Sequence, residues 1–357
     1  MDRYHNVLII QLGDVGDVVL STPTIRALKE TCPGARVSIL VRKPYGSLLS
    51  ADPHIHEVVE FARVRGPALR VAREFARFAG RLRRGRYDLV IDLRTGDRGA
   101  FLSFLSGGKS RIGREDEGRP FWHRLLFTRT VRYPAAAPPP VHPGADQSLR
   151  ILRAIGIDTK DSVPRLYIAG SDRERADLML AECGLRTGGS WFTFNPFSRW
   201  KYKEWDNGKW AEVINRLWEE YRTPWVLVGS PEESAAAGDI VAACSGHAFN
   251  LAGKTTLGEL AAIIATSSLH VGVDSAAPHI AAAVGTPSIT IHGPSDWRAW
   301  RTVTDRHAVV FPKMACVPCN RKGCGDSEQS SCLKLLEVES VVEVVREMHG
   351  RHPAKTS

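Results

Sequence analysis

The 357-residue chain is long for one hydrophobic core, so two domains are expected. Its 43% hydrophobic and 24% charged residues exclude a disordered chain, and no apolar run approaches the ~18 residues that a membrane span needs. A formal net charge of +9 asks for an anionic partner without choosing among nucleic acid, phospholipid and phosphorylated glycan. The apolar run at residues 7–10 is too short for the h-region of a signal peptide, so a cytoplasmic protein is expected. Cys32, Cys183 and Cys244 are scattered and fit reduced thiols.

In chain order, "NVLIIQL" predicts a strand, "TPTIRALKETCPG" a helix, and "RVSILV" and "YDLVIDLR" further strands. These runs are too continuously apolar to be half-exposed, which predicts a parallel sheet covered on both faces. "YPAAAPPPVHPG", residues 133–144, cannot form a regular element and reads as a linker or surface loop. After the helix "DQSLRILRAIGI" a second alternation runs from "WFTFNPF" through "GKWAEVINRLWEEYR", "PWVLVGS", "PEESAAAGDIVAAC", "AFNLAG", "TLGELAAIIATS", "LHVGVD" and "APHIAAAVG" to "SITIHG". The expected organisation is an α/β chain of two facing Rossmann-like, doubly wound domains, residues 1–165 and 166–335, with a ligand cleft between their strand ends. Residues 336–357 hold a last helix, "LEVESVVEVVREMHG", able to return to either half.

Three stretches carry candidate chemistry. "QLGDVGDVVLSTP" follows the first strand, but Gly13 and Gly16 are three apart, unlike a dinucleotide fingerprint. Spacing alone favours an aspartate capping the next helix, although Asp17 at a strand's carboxyl end is also placed to take a proton from a substrate hydroxyl. In "VGVDSAAPHIAAAVGTP", Ser275 is a good N-cap, Pro278 is tolerated in a first turn, and the amides of Ser275, Ala276 and Ala277 would form a diphosphate site. Asp274 suits a sugar hydroxyl better than a phosphate. In "SRWKYKEWDNGKW", Lys201 and Lys203 sit among Trp200, Trp205 and Trp210, as a solvated helix face or as a point charge for a developing diphosphate. A carboxylate in one half, with a lysine and an anion-binding helix in the other, fits group transfer from a nucleotide donor.

A fourth stretch, "CVPCNRKGCGDSEQSSCL", spaces Cys316, Cys319, Cys324 and Cys332 as C-x2-C-x4-C-x7-C. Either a structural metal site or four reduced thiols fits that spacing. Four thiolates would leave no open position for a catalytic metal.

These four stretches, with "VLIIQLGDVGDVVLSTPTIRALKETCPGARVSILV", resemble the glycosyltransferase family that includes the ADP-heptose:lipopolysaccharide heptosyltransferases. The resemblance runs nearly the whole chain in order, weakest over residues 63–144, and the cysteine segment is most similar to the branch that adds the third, side-branch heptose. It implies the GT-B fold and metal-free, inverting transfer without a cofactor. The implied partners are ADP-heptose, a lipid A–core acceptor and, peripherally, the inner leaflet of the inner membrane, with no nucleic acid.

The resemblance also implies roles. Asp17, not Asp14, is the base, and Lys203 contacts the donor phosphates. Asp274 and the amides of Ser275, Ala276 and Ala277 hold the heptosyl diphosphate. Thr255 lies by the adenine, and Glu232 or Glu233 reaches the ribose. Some relatives have Thr-Gly-x-Ser-His where this chain has Ser275-Ala276-Ala277-Pro278-His279, so a hydroxyl contact from the fourth position is lost.

In "ALRVAREFARFAGRLRRGR", Arg70, Arg73, Arg77, Arg81 and Arg84 recur at helical spacing, with Val71, Phe75, Phe78 and Leu82 on another face. The apolar side is expected on the sheet. The arginine run, taken as free of acids, is assigned to acceptor phosphates or the anionic leaflet. The alternatives are a family member using another nucleotide sugar, a GT-B nucleotide-sugar epimerase, and a basic zinc module.

Overall fold

The computed structural model describes residues 4–94, 96–115, 118, 120–132, 143–186, 188–302 and 304–352. The chain divides into two units with the boundary after Tyr167. The proposed linker lies, up to residue 142, outside the described residues.

The first unit holds the strands β1 (Asn6–Gln11), β2 (Arg36–Arg42), β3 (Ile55–Phe61), β4 (Leu89–Asp92), β5 (Ser110–Arg114) and β6 (Arg129–Val131). All are parallel, in the order β3-β2-β1-β4-β5-β6. Val7, Leu8, Ile9 and Ile10 of β1 are wholly buried, because a central parallel strand is covered on both faces. The helices are α1 (Val15–Leu20), α2 (Thr22–Thr31), α3 (Ala68–Arg84), α4 (Asp97–Leu105), α5 (Phe121–Leu125) and α6 (Pro143–Arg153).

The helix α3 departs from expectation in two ways. Its apolar face is only partly covered: Leu82 is buried and Phe78 packs edge-on against Phe61, yet Phe75 is exposed. Nor is its arginine stripe free of acids. Arg77 donates to Glu74 at 2.8 Å, and Arg81 to Glu57 of β3 at 2.7 Å. The helix carries its own acid one turn back, and its second half lies over a strand that supplies another.

The second unit begins with α7 (Gly170–Glu182) and runs β7 (Phe192–Asn195), α8 (Asn207–Tyr221), β8 (Trp225–Leu227), α9 (Ser234–Ala242), β9 (Ala248–Asn250), α10 (Leu257–Thr266), β10 (Leu269–Val273), α11 (Ala276–Val284), β11 (Ser288–Ile291) and β12 (His307–Val310). Its parallel sheet has the order β12-β11-β10-β7-β8-β9. A short helix, α12 (Ser331–Leu335), and a longer one, α13 (Val338–Arg351), follow. The last sends Val341, Val342, Val345 and Met348 into the core around Phe192, Phe194, Trp210 and Trp225, so it belongs to this unit.

Strand order reverses between β1 and β4 in one sheet and between β7 and β10 in the other. The connections leaving such a pair diverge to opposite faces, opening a crevice at their carboxyl ends where open α/β sheets bind ligands.

Candidate functional site

Both crevices are lined by charged groups. In the first unit, β1 ends at Gln11, whose buried side chain braces the loop: Oε1 accepts from the Gly13 amide at 3.0 Å. Asp17 lies at the third position of α1. Its Oδ2 accepts from the Asp14 amide at 2.9 Å, and its Oδ1 accepts from Arg94 Nη1 at 2.9 Å. The capping role and an outward-facing oxygen therefore coexist on one carboxylate. Asp14 Oδ1 is taken by Arg42 Nη2 at 2.5 Å, while Arg42 Nε donates to the Gly13 carbonyl.

Arg94, two residues past β4, and Arg42, the last residue of β2, were missed in the sequence. A strand-end arginine was their only signal. Gly13 is required by contact: a Cβ there would lie 2.3 Å from Asp17 Oδ2. Gly13→Ala is expected to turn Asp17 out of its cap and reduce turnover while ADP still binds, which paired kinetics and calorimetry would measure.

In the second unit, the turn after β7 carries Lys203, and Asp274 directly follows β10. Lys203 Nζ donates to Asp274 Oδ2 at 2.6 Å, and Ser295 Oγ donates to the same oxygen at 2.5 Å. Burial works against a charge on Asp274, but His292, Lys203 and Ser295 hold its pKa at about 2. His292 lies 3.8 Å away and is itself pushed down to about 4 by burial. At neutral pH it is uncharged, so the countercharge to Asp274 is Lys203.

Ser275 sits at the N-cap of α11 without capping it, because its hydroxyl donates to Asn195 Oδ1 at 2.9 Å. The expected serine cap is thus replaced by a link to β7. The first-turn amides of Ala276 and Ala277 donate no bond to the Ser275 side chain, and a helix end in that state favours an anion. A cavity beside this end is lined by Asp274, Ser275, His279, His292, Trp300 and Arg301.

The remaining candidates lie elsewhere. Thr255 precedes Thr256, which caps α10 with Glu259. Glu233 is committed to the Ser230 amide at 2.7 Å, whereas Glu232 is exposed. The Arg70, Arg73 and Arg77 side chains are exposed along α3. Trp205 and Trp210 belong to the core, and Trp200 stays on the surface. Cys316, Cys319 and Cys324 are exposed free thiols and Cys332 is buried, its pKa raised by burial and by the other three. Among the described residues no group of three or more His, Cys, Asp or Glu side chains is arranged to hold a metal ion.

Two doubly wound parallel units, each with its polar cluster where strand order reverses, define a protein of the GT-B type. More particularly, residues 75–329 match the model of glycosyltransferase family 9 (heptosyltransferase), and the chain belongs to that family. It is 30% identical over 296 residues to lipopolysaccharide heptosyltransferase 3 of Escherichia coli, covering 80% of this chain and 83% of that protein. A family 9 glycosyltransferase from Veillonella parvula superposes with a TM-score of 0.81 at 20% identity, covering 98% of both chains. E. coli ADP-heptose lipopolysaccharide heptosyltransferase II superposes with 0.79 at 21% identity, covering 97% of this chain and 99% of that one. The family and fold expected from the motifs are therefore those found.

Proposed function

We propose that the protein transfers a heptosyl group, with inversion, from ADP-heptose to the inner core of lipopolysaccharide, at the third, side-branch position. The Lys203–Asp274 pair beside the open end of α11 carries this reading. It sets a cation and the amides at the start of α11 where a leaving diphosphate gathers charge, with an ionised carboxylate next to them for sugar hydroxyls. The similarity to lipopolysaccharide heptosyltransferase 3 supports the acceptor position.

In the proposed reaction Asp17 removes the proton from the acceptor hydroxyl as its oxygen attacks the anomeric carbon. The bond from that carbon to the diphosphate oxygen breaks, and ADP departs with the electron pair. Lys203 and the amides of Ser275, Ala276 and Ala277 take up the charge. Glu232, the exposed member of its pair, is assigned to the ribose and Thr255 to the adenine. Arg94 donates to Asp17 Oδ1, and in the proposed reaction the base is freed when Arg94 turns to an anionic group of the acceptor. The charge of the leaving group is met by protein cations and dipoles, and no metal is assigned to the chemistry. The enzyme is assigned to the cytoplasm, at the membrane surface where its acceptor is anchored.

Purified protein, ADP-heptose and a core lipopolysaccharide lacking its branch heptose should give an acceptor one heptose heavier, with the rate unchanged by a chelator. No mass gain with ADP-heptose still bound would reject the acceptor and keep the donor. Loss of the rate in chelator would reject metal-free transfer.

A further inference from the structure

Among the described residues, the exposed large apolar side chains of the first unit are Leu69, Phe75, Phe101, Phe104, Phe121 and Leu125. All lie on α3, α4 or α5. These helices join β3 to β4, β4 to β5 and β5 to β6, and right-handed crossovers put them on one face of the sheet. They are also contiguous: α4 packs on α3, and Phe101 of α4 meets Trp122 of α5 with ring centroids 5.5 Å apart.

The pattern on α4 departs from that of an ordinary surface helix. Its inner side buries Gly99, Ala100, Leu102 and Ser103 on the sheet, as expected. The outer stripe, Arg98, Phe101 and Phe104, would normally be polar throughout. On α5, Phe121 and Leu125 are 73% and 69% exposed, and on the first turn of α3 Leu69 is 83% exposed. Apolar area on this scale across three adjacent helices marks a docking surface.

Charge identifies the occupant. The three helices carry eight arginines against two acids, Glu74 and Asp97, and Glu74 is already engaged by Arg77. Arg111 lies 5.6 Å over the Phe104 ring, held by the carbonyls of Gly108 and Leu126, so a guanidinium is fixed beside the apolar stripe. Aromatic and aliphatic side chains interspersed with arginines match the boundary between acyl chains and anionic headgroups, where rings insert and guanidinium groups bind phosphate. We infer that this face, α3 to α5 of the first unit, docks the protein on an anionic lipid bilayer. The inference deepens the proposed function and rests on its membrane-anchored acceptor, but it moves the contact from an arginine stripe to an apolar surface with an arginine rim.

The test is flotation of the full chain with phosphatidylethanolamine vesicles containing phosphatidylglycerol, and with phosphatidylcholine vesicles. Wild type should float with the anionic vesicles and stay behind with the neutral ones. Phe101→Ser with Phe104→Ser, and separately Phe121→Ser with Leu125→Ser, should each reduce flotation by about tenfold. Arg73→Gln with Arg98→Gln and Arg124→Gln should abolish the preference for anionic vesicles. Because all these side chains are exposed, melting temperature and ADP binding should not change.

Flotation of the serine variants equal to wild type would overturn the surface. So would a wild-type dimer by light scattering that the same substitutions split, since the occupant would then be a second copy. Turnover on delipidated core oligosaccharide separates the two claims. Kept in the variants, it leaves the enzymatic reading intact whatever flotation shows; absent in wild type, it sinks that reading alone.

Discussion

Asp17→Asn should lower heptosyl transfer by about 10²–10⁴-fold, the usual contribution of a positioned general base, with ADP affinity unchanged. The substitution is suited to the geometry. An asparagine oxygen still accepts from the Asp14 amide, so the turn into α1 keeps its cap, while the group that would take the proton is gone. Steady-state kinetics with acceptor in excess, beside calorimetric titration of ADP, would measure both. Activity within a few-fold of wild type would mean that the carboxylate only caps the helix and that the base lies elsewhere.

Arg94→Gln separates base from gate in the same assay. If Arg94 leaves Asp17 for an anionic group on the acceptor, its removal should raise the acceptor KM by about tenfold, one lost charge-assisted hydrogen bond, and change kcat little. A fall in kcat as deep as that of Asp17→Asn, at unchanged KM, would make Arg94 a residue that positions the carboxylate and not one that answers the acceptor.

The fold was legible because each unit is built on strands buried on both faces. Runs such as Val7-Leu8-Ile9-Ile10 are unbroken by polar residues, and only a covered parallel sheet accepts them. The loops after β1 and β10 were legible through their small residues and carboxylates. Arg94 and Arg42 were not, because a lone arginine after a strand has no pattern. Its meaning comes from strand order, which brings the end of β4 beside the end of β1 across 77 residues of chain. Ser275 was misjudged for a related reason: helix-start statistics favour serine as a cap, but Asn195 on the neighbouring β7 offers its hydroxyl a partner. On α3, periodicity predicted an amphipathic helix and could not reveal that its first half stands clear of the sheet. That depends on where the chain leaves β3.

Replacing Lys203 with alanine should reduce transfer by about 10²–10³-fold and also destabilise the protein, two effects with one origin. Lys203 is the countercharge of buried Asp274, whose folded pKa of about 2 lies below the ordinary 3.8. A depressed carboxylate contributes stability above its unfolded pKa and loses it as pH falls through the folded value. In wild type that contribution, about 2 kcal/mol, should therefore be complete at neutral pH and disappear between about pH 4 and pH 2. Without Lys203 the carboxylate is left in the interior with only Ser295 and neutral His292. Breaking a buried pair from one side costs about 3–5 kcal/mol, so the neutral-pH melting temperature should drop and its acid limb flatten. Lys203→Met with Asp274→Asn removes both charges and should recover much of the stability while leaving transfer as slow as in the single variant. Melts across that pH range with kcat at neutral pH would decide it. If the double variant regained activity along with stability, Lys203 would be a structural partner of Asp274 and the leaving diphosphate would be met by the amides of α11 alone.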